Sequence, residues 1–149
     1  VREEFRELRL NQLNRQLKPF RAARAISRPQ KGWVRAIREA LGISSTALGI
    51  RLGSSRQLAL QQEKAEAEER ITLKNLRTLA NALDCDLVYA LVPRTKTIQE
   101  LIENRSRVQA QRNILGVEHS MALEDQAAGN LDQAIEIETQ RLLKKRGAR

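Results

Sequence analysis

The side chains with the most specific chemistry to offer lie in one stretch, "LGSSRQLALQQEKAEAEERITL", Leu52 to Leu73. Arg56 follows "GSS", with Gln57 beside it and Gln61 one helical turn further on. An arginine fork bonds O6 and N7 of guanine together, and a glutamine amide does the same to N6 and N7 of adenine. A helix carrying these types either enters a DNA groove or is one more polar helix on an all-helical surface. Other chemistry has little to work with. His119 is the lone histidine and Cys85 the lone cysteine, so no zinc site, no other cofactor and no internal disulfide are expected. The sequence has no glycine-rich phosphate loop and no Cys–His pair with an orienting third group. Glu66, Glu68 and Glu69 cluster, but in a polar helix they read as a solvated face. No enzyme is expected.

Charge points to a partner. The net charge is +9, and residues 1–60 hold 13 Lys/Arg against 4 acids, while residues 61–149 hold 14 against 14. The whole imbalance therefore falls in the first 60 residues, which suits a polyanion there and a different task beyond. A basic face kept for solubility is the plainer reading. No apolar run reaches the ~18 residues of a membrane span. The opening "VREEFRELRL" is too charged for a signal peptide, so a cytoplasmic protein is expected, nucleoid-associated if DNA is its polyanion.

The elements that must position Arg56 are helices. Three prolines and seven glycines leave long stretches without a breaker, which predicts an all-α chain. Leu10, Leu13 and Leu17 mark a helix over about residues 3–17, and 18–32 form a basic linker. That linker holds Arg21, Arg24, Arg28 and Lys31, either a DNA arm following the minor groove or a plain connection. Residues 33–92 form a compact unit. "WVRAIREALG" is a helix stopped by Gly42, and "SSTALGIRLG" starts on Ser44 or Ser45 and stops at Gly53. The next two helices start on serine before Arg56 and on Thr72. Cys85 to Val92 is rich in β-formers and predicts a short strand, with Leu87, Val88, Tyr89, Ala90 and Leu91 at its centre. A lone strand needs a partner, and its own copy in a second chain is the economical one, giving a homodimer. A buried extension of the preceding helix is the alternative. Residues 93–149 return to helix, with breaks expected at Gly116 and Gly129.

Two short helices joined by a glycine-containing turn are the DNA-reading helix-turn-helix pattern. Leu48 and Leu52 pack inward, Gly53 turns the chain, and Ala59 packs back against Gly49, where two backbones approach. Residues 33–92 thus resemble the xenobiotic-response-element class of helix-turn-helix regulators, the lambda-repressor-like five-helix fold. More closely, "LNRQLKPFRAA", "KGWVRAIREALGIS", "ITLKNLRTLANALDCDLVYALVP" and "HSMALEDQAA" resemble the family called mobile mystery protein A, which is encoded beside a Fic-domain protein and treated as an antitoxin-like regulator.

The resemblance implies roles for particular residues. Arg56, Gln57 and Gln61 face base edges of double-stranded DNA, while Ser45, Arg51, Ser55, Lys74 and Asn75 contact phosphate, Ser55 also capping the reading helix. It implies an autorepressor that binds a palindromic operator as a dimer. It also implies a Fic-domain toxin as partner of the C-terminal helices. There Ser120 and Glu124 of "SMALED" match the Ser/Thr-x-x-x-Glu of Fic-inhibitory helices, although Asp125 replaces the final Gly or Asn. The alternative is a protein–protein antitoxin that inhibits a Fic-type AMP-transferase, with DNA binding secondary. An RNA-binding role ranks last, for want of an aromatic platform. The chain departs from the pattern where Leu60 and Gln62 exchange apolar and polar character, and where four acids follow, Glu63, Glu66, Glu68 and Glu69. These acids set a condition: they must point away from phosphate if the helix is to enter a groove.

Overall fold

The computed structural model of the chain describes residues 1–118 and 128–147, and every regular element among them is helical. The helices are α1 (Arg2–Leu17), α2 (Trp33–Ala40), α3 (Ser45–Arg51), α4 (Arg56–Ala67), α5 (Leu73–Ala82), α6 (Ile98–Glu118) and α7 (Ala128–Gly147). Two 3-10 turns, Lys18–Phe20 and Ala22–Ala25, follow α1. None of the described helices is long and apolar enough to cross a membrane. The chain divides into two compact units, Ala22–Ala90 and the pairing of Val1–Arg21 with Leu91–Arg149. This differs from the three consecutive segments expected, because α1 belongs with the C-terminal helices.

In the Ala22–Ala90 unit, hydroxyl side chains start three helices in the same way. The Ser44 Oγ accepts from the Ala47 N–H, Ser55 Oγ from Leu58 and Thr72 Oγ1 from Asn75, at 3.0, 3.2 and 3.2 Å. Each satisfies one of the free donors of a first turn. The four helix ends are equally uniform. The residue after each turns left-handed: Gly42, Gly53, Glu69 and Asp84, with φ of +69°, +64°, +59° and +56°. The following N–H then reaches back five residues, from Ile43 to Arg38, Ser54 to Gly49, Arg70 to Ala65 and Cys85 to Ala80. Glycine takes this conformation freely, whereas Glu69 and Asp84 pay about 1–2 kcal/mol each.

The core of this unit draws one fully buried apolar residue from each helix: Val34, Leu48, Ala59 and Leu79, with Leu83 just past α5. Ile37, Ile43, Leu52, Ile71 and Leu76 pack around them. The close approach expected at Gly49 is present, and its nearest atoms are backbone at the start of α4. A methyl group on Gly49 would lie 2.8 Å from the Ser55 carbonyl carbon and oxygen and 2.9 Å from the Arg56 nitrogen. What presses on Gly49 is the backbone that opens α4.

The strand expected over 85–92 is absent; residues 85–93 are neither helix nor strand. The reason is physical: a strand exists through ladder bonds to a neighbour, and one chain supplies none. Continuation of α5 is excluded too, because Asp84 turns left-handed and Cys85 donates back to Ala80. Val88, Tyr89 and Leu91 are 68%, 60% and 91% exposed.

The other unit is built on α6 and α7, which pack together and bury small residues, Ser106, Ala110 and Thr139. The start of α6 is capped from two sides. Thr97 Oγ1 accepts from the Glu100 N–H at 3.1 Å, and Glu100 Oε2 accepts from Lys96 N–H at 3.1 Å. Asn14 of α1 then accepts from the Ile98 N–H through Oδ1 at 3.0 Å and donates to Gln99 Oε1 at 2.6 Å. These bonds tie α1 to a helix 84 residues later in the chain. Gly116 and Gly129, where breaks were expected, lie at the edges of these helices, two residues before the end of α6 and at the second residue of α7. Glu138 is held by Arg141, whose Nε donates at 2.7 Å, and by Asn113 Nδ2 at 3.1 Å.

Two outcomes follow from this packing. Gly49→Ala gains about 1 kcal/mol of helix propensity, but its methyl meets backbone that cannot swing aside, and overpacking costs about 1–3 kcal/mol. The clash wins, so a lower urea midpoint is expected; an unchanged midpoint would show that α3 and α4 can separate. In the second unit, the Arg141 hydrogen bond, helped by Asn113, lowers the Glu138 pKa from 4.5 to about 2. A depressed carboxyl stabilises fully above its ordinary value and loses that contribution as pH falls through the folded one. Thermal melts between pH 5 and 2 should therefore show a steeper acid loss in wild type than in Glu138→Gln.

Candidate nucleic-acid interface

Whether α4 can approach a polyanion depends on where its acids go, and two of them go inward. Glu63 is buried against Arg38, which is itself 9% exposed. Arg38 Nε donates to Glu63 Oε1, Nη2 donates to Oε2 at 3.3 Å, and Nη1 donates to the Ile43 carbonyl at 2.9 Å. The Glu63 hydrogen bond raises the Arg38 pKa above its ordinary value, against the opposing effect of burial. Glu66 is also buried, and its Oε1 accepts from the Trp33 N–H at 3.1 Å. The carboxylate thereby caps α2, whose own cap residue, Gly32, has no side chain to do so. Gly32 has φ +85°, and a methyl there would fall 1.8 Å from Glu66 Oε2. Glu66 reads in sequence as a solvated carboxylate, and the structure corrects this to a buried cap.

The remaining acids sit at the C-terminal end of α4. Glu68 pairs with Arg70, whose Nε donates at 2.8 Å, and lies 3.8 Å from Lys64 Nζ. The Arg70 hydrogen bond lowers the Glu68 pKa below its ordinary value. Glu69, 3.7 Å from Arg28, is the left-handed residue beyond the helix. What α4 exposes before Glu68 is Arg56, Gln57, Leu58, Leu60, Gln61 and Lys64, with no carboxylate among them. The exchange of character at Leu60 and Gln62 fits the same rotation: Leu60 is 40% exposed and Gln62 half-buried, beside the inward Glu63.

Around this face several expected residues meet. Arg56 Nε donates to Ser45 Oγ at 3.1 Å, joining the two helices. Gln61 and Asn75 line one open depression of about 530 Å³ with Lys64, Arg70 and Thr72. Lys74 and Asn75 are exposed in the first turn of α5, and Ser55 is exposed while serving as the α4 cap. Lys64 and Arg70 were not among the expected contacts. Their signal was present, a Lys64–Glu68 pair at i, i+4 and an arginine two residues beyond it, but the acid run concealed it.

Other expected residues are engaged elsewhere. Arg51 Nη1 donates to the Ala82 carbonyl at 2.9 Å and lies 3.7 Å from Asp84, so it closes the end of α5. Arg28 donates to the Glu66 and Ala67 carbonyls at 3.1 and 3.0 Å, closing α4. The segment 18–32 is not an extended arm: 3-10 turns hold Lys18–Phe20 and Ala22–Ala25, and Arg28 is anchored. Arg21 is half-buried, and Arg24 and Lys31 are exposed. Ser120 and Glu124 lie outside the described residues. Compared with models of protein families, with curated proteins and with solved structures, the chain matches none.

A buried ion pair broken on one side leaves a charge unpaired and costs about 3–5 kcal/mol, whereas an apolar pair of similar volume is often neutral. Glu63→Ala should therefore lower stability by roughly that amount, and Arg38→Met with Glu63→Leu should recover most of it. Urea unfolding of the three proteins checks this. Equal midpoints for wild type and Glu63→Ala would remove the pair from its structural role.

Proposed function

We propose that the Ala22–Ala90 unit binds double-stranded DNA, with α3, the turn at Gly53 and α4 acting as a helix-turn-helix of the lambda-repressor-like kind. The protein is then a sequence-specific transcriptional regulator of the xenobiotic-response-element class. One observation carries this reading: α4 presents Arg56, Gln57, Gln61 and Lys64 outward while Glu63 and Glu66 are buried behind it. A surface helix placed only for solubility has no need to spend buried carboxylates in this way.

Arg56, Gln57 and Gln61 face base edges in the major groove, and Ser45, Ser55, Lys74 and Asn75 take phosphates. Arg51 enters as a positioning group, since α5 holds it. Residues 85–92 pair with the same segment of a second copy, so the reading heads of a homodimer meet half-sites about one helical turn apart. In the resemblance to mobile mystery protein A, the regulator represses its own operon and a Fic-domain protein is the partner of the α6–α7 unit.

Anisotropy titration of the protein's own upstream DNA against a scrambled duplex tests the reading. Specific sites typically win by about a thousandfold or more. Arg56→Ala should cost about 1–3 kcal/mol at the upstream site and little at the scrambled one. Equal binding to both duplexes, untouched by Arg56→Ala, would overturn it.

A further inference from the structure

We propose a second phosphate-binding site, on the α1–α6–α7 unit, formed by Arg2, Arg6, Arg9 and Arg146 around Phe5. The four arginines and Phe5 line one open cavity of about 400 Å³, with Gly147 at its edge. Arg2, Arg6 and Arg9 fall at i, i+4 and i+7 and so share a face of α1, and Arg146 comes from the end of α7. Like charges at this spacing repel. Nothing among the described residues relieves them, since none of the four guanidiniums has a hydrogen bond or an ion pair there. Glu3, Glu4 and Glu7 are on the same helix, and Glu3, Glu7 and Glu103 line an adjacent depression that Arg6 also borders. None of them lies within ion-pair distance of an arginine of the cluster. Arg28, Arg38, Arg51 and Arg141, by contrast, each hold a carbonyl or a carboxylate. Four arginines around one cavity, unpaired although Glu3 lies beside Gly147 at its edge, match the oxygens of phosphodiesters, which arginine forks bind in pairs.

The occupant is the backbone of duplex DNA. A single exposed aromatic, Phe5 at 62%, is no stacking platform for a single strand. A membrane surface suits the site less well, because three glutamates interrupt α1 and leave no continuous apolar face. This inference rests on the DNA-binding reading above and adds to it a sequence-blind anchor on the other unit.

The test is a salt series on the full chain with upstream and scrambled duplexes. The proteins are wild type, Arg56→Ala, the triple variant Arg2→Gln, Arg6→Gln and Arg9→Gln, and Arg146→Gln, with circular dichroism on each. Each phosphate contact adds about 0.9 to the log–log salt slope. The triple variant should lower the slope by about 2–3 on both duplexes and leave their affinity ratio unchanged. Arg146→Gln should lower it by about 1, which keeps the test open if the triple variant folds poorly. An unchanged slope for both variants overturns the site. So does loss of binding to phosphatidylserine vesicles with DNA binding intact, which would make it a membrane contact. Loss of slope in a protein that never discriminated the duplexes would overturn the α4 reading and leave this one standing.

Discussion

The Arg38–Glu63 pair fixes the placement of everything around α4. A helix that contributes only Ala59 to the apolar core has little to lock its rotation, because a methyl group fits several orientations about as well. A bidentate ion pair does not. Arg38 comes from α2, reaches Glu63 in α4 and bonds the Ile43 carbonyl before α3, so one guanidinium joins three elements. Rotating α4 by one residue would carry Glu63 away and leave both charges buried and unpaired. Glu66 adds a second point one helical turn along, bonded to the start of α2. Directional bonds do here what bulky side chains do in a heavier core.

That choice has a consequence at the surface. Acids used as internal pins are removed from the outer face, so a helix with two glutamates in its last turns and two more just past its end still presents a cationic and amide-bearing front. Gly49 completes the arrangement. With no side chain there, the backbone at Ser55 and Arg56 comes into contact with α3, and Arg56 is near enough to bond Ser45. The fold of the small unit and the chemistry of its face are therefore set by the same few contacts.

How much of this was legible in the sequence follows from what each signal depends on. Local signals read well: Ser44, Ser55 and Thr72 cap, Gly42 and Gly53 stop helices, and the all-helical class follows from the scarcity of breakers. Stops at Glu69 and Asp84 were hidden, because a charged residue in a left-handed conformation has no signature of its own. The buried glutamates were hidden for a different reason. Glu63 finds its partner 25 residues away and Glu66 its own 33 away, and a run such as "EKAEAEE" looks solvated until those partners are in place. Strand structure needs a second segment to pair with, and the β-forming residues of 85–92 find none among the described residues.

Charge shows the same dependence on long-range contacts. Cut at residue 60, the sequence appears basic in front and neutral behind. Asn14 undoes that division by bonding the start of α6, which carries the arginines of α1 into the C-terminal unit. Divided as the chain folds, Ala22–Ala90 holds 11 Lys/Arg against 7 acids and the other unit 16 against 11, net charges of +4 and +5. The excess is shared between the units. In the first it is sharpened by burying two of the acids; in the second it gathers where Arg146 meets the α1 stripe. The neutral half seen when the sequence is cut at residue 60 therefore matches neither of the two units. Each unit carries a net positive charge of its own, so the contrast between a basic front and a neutral rear belongs to the linear order of the residues and not to the units they fold into.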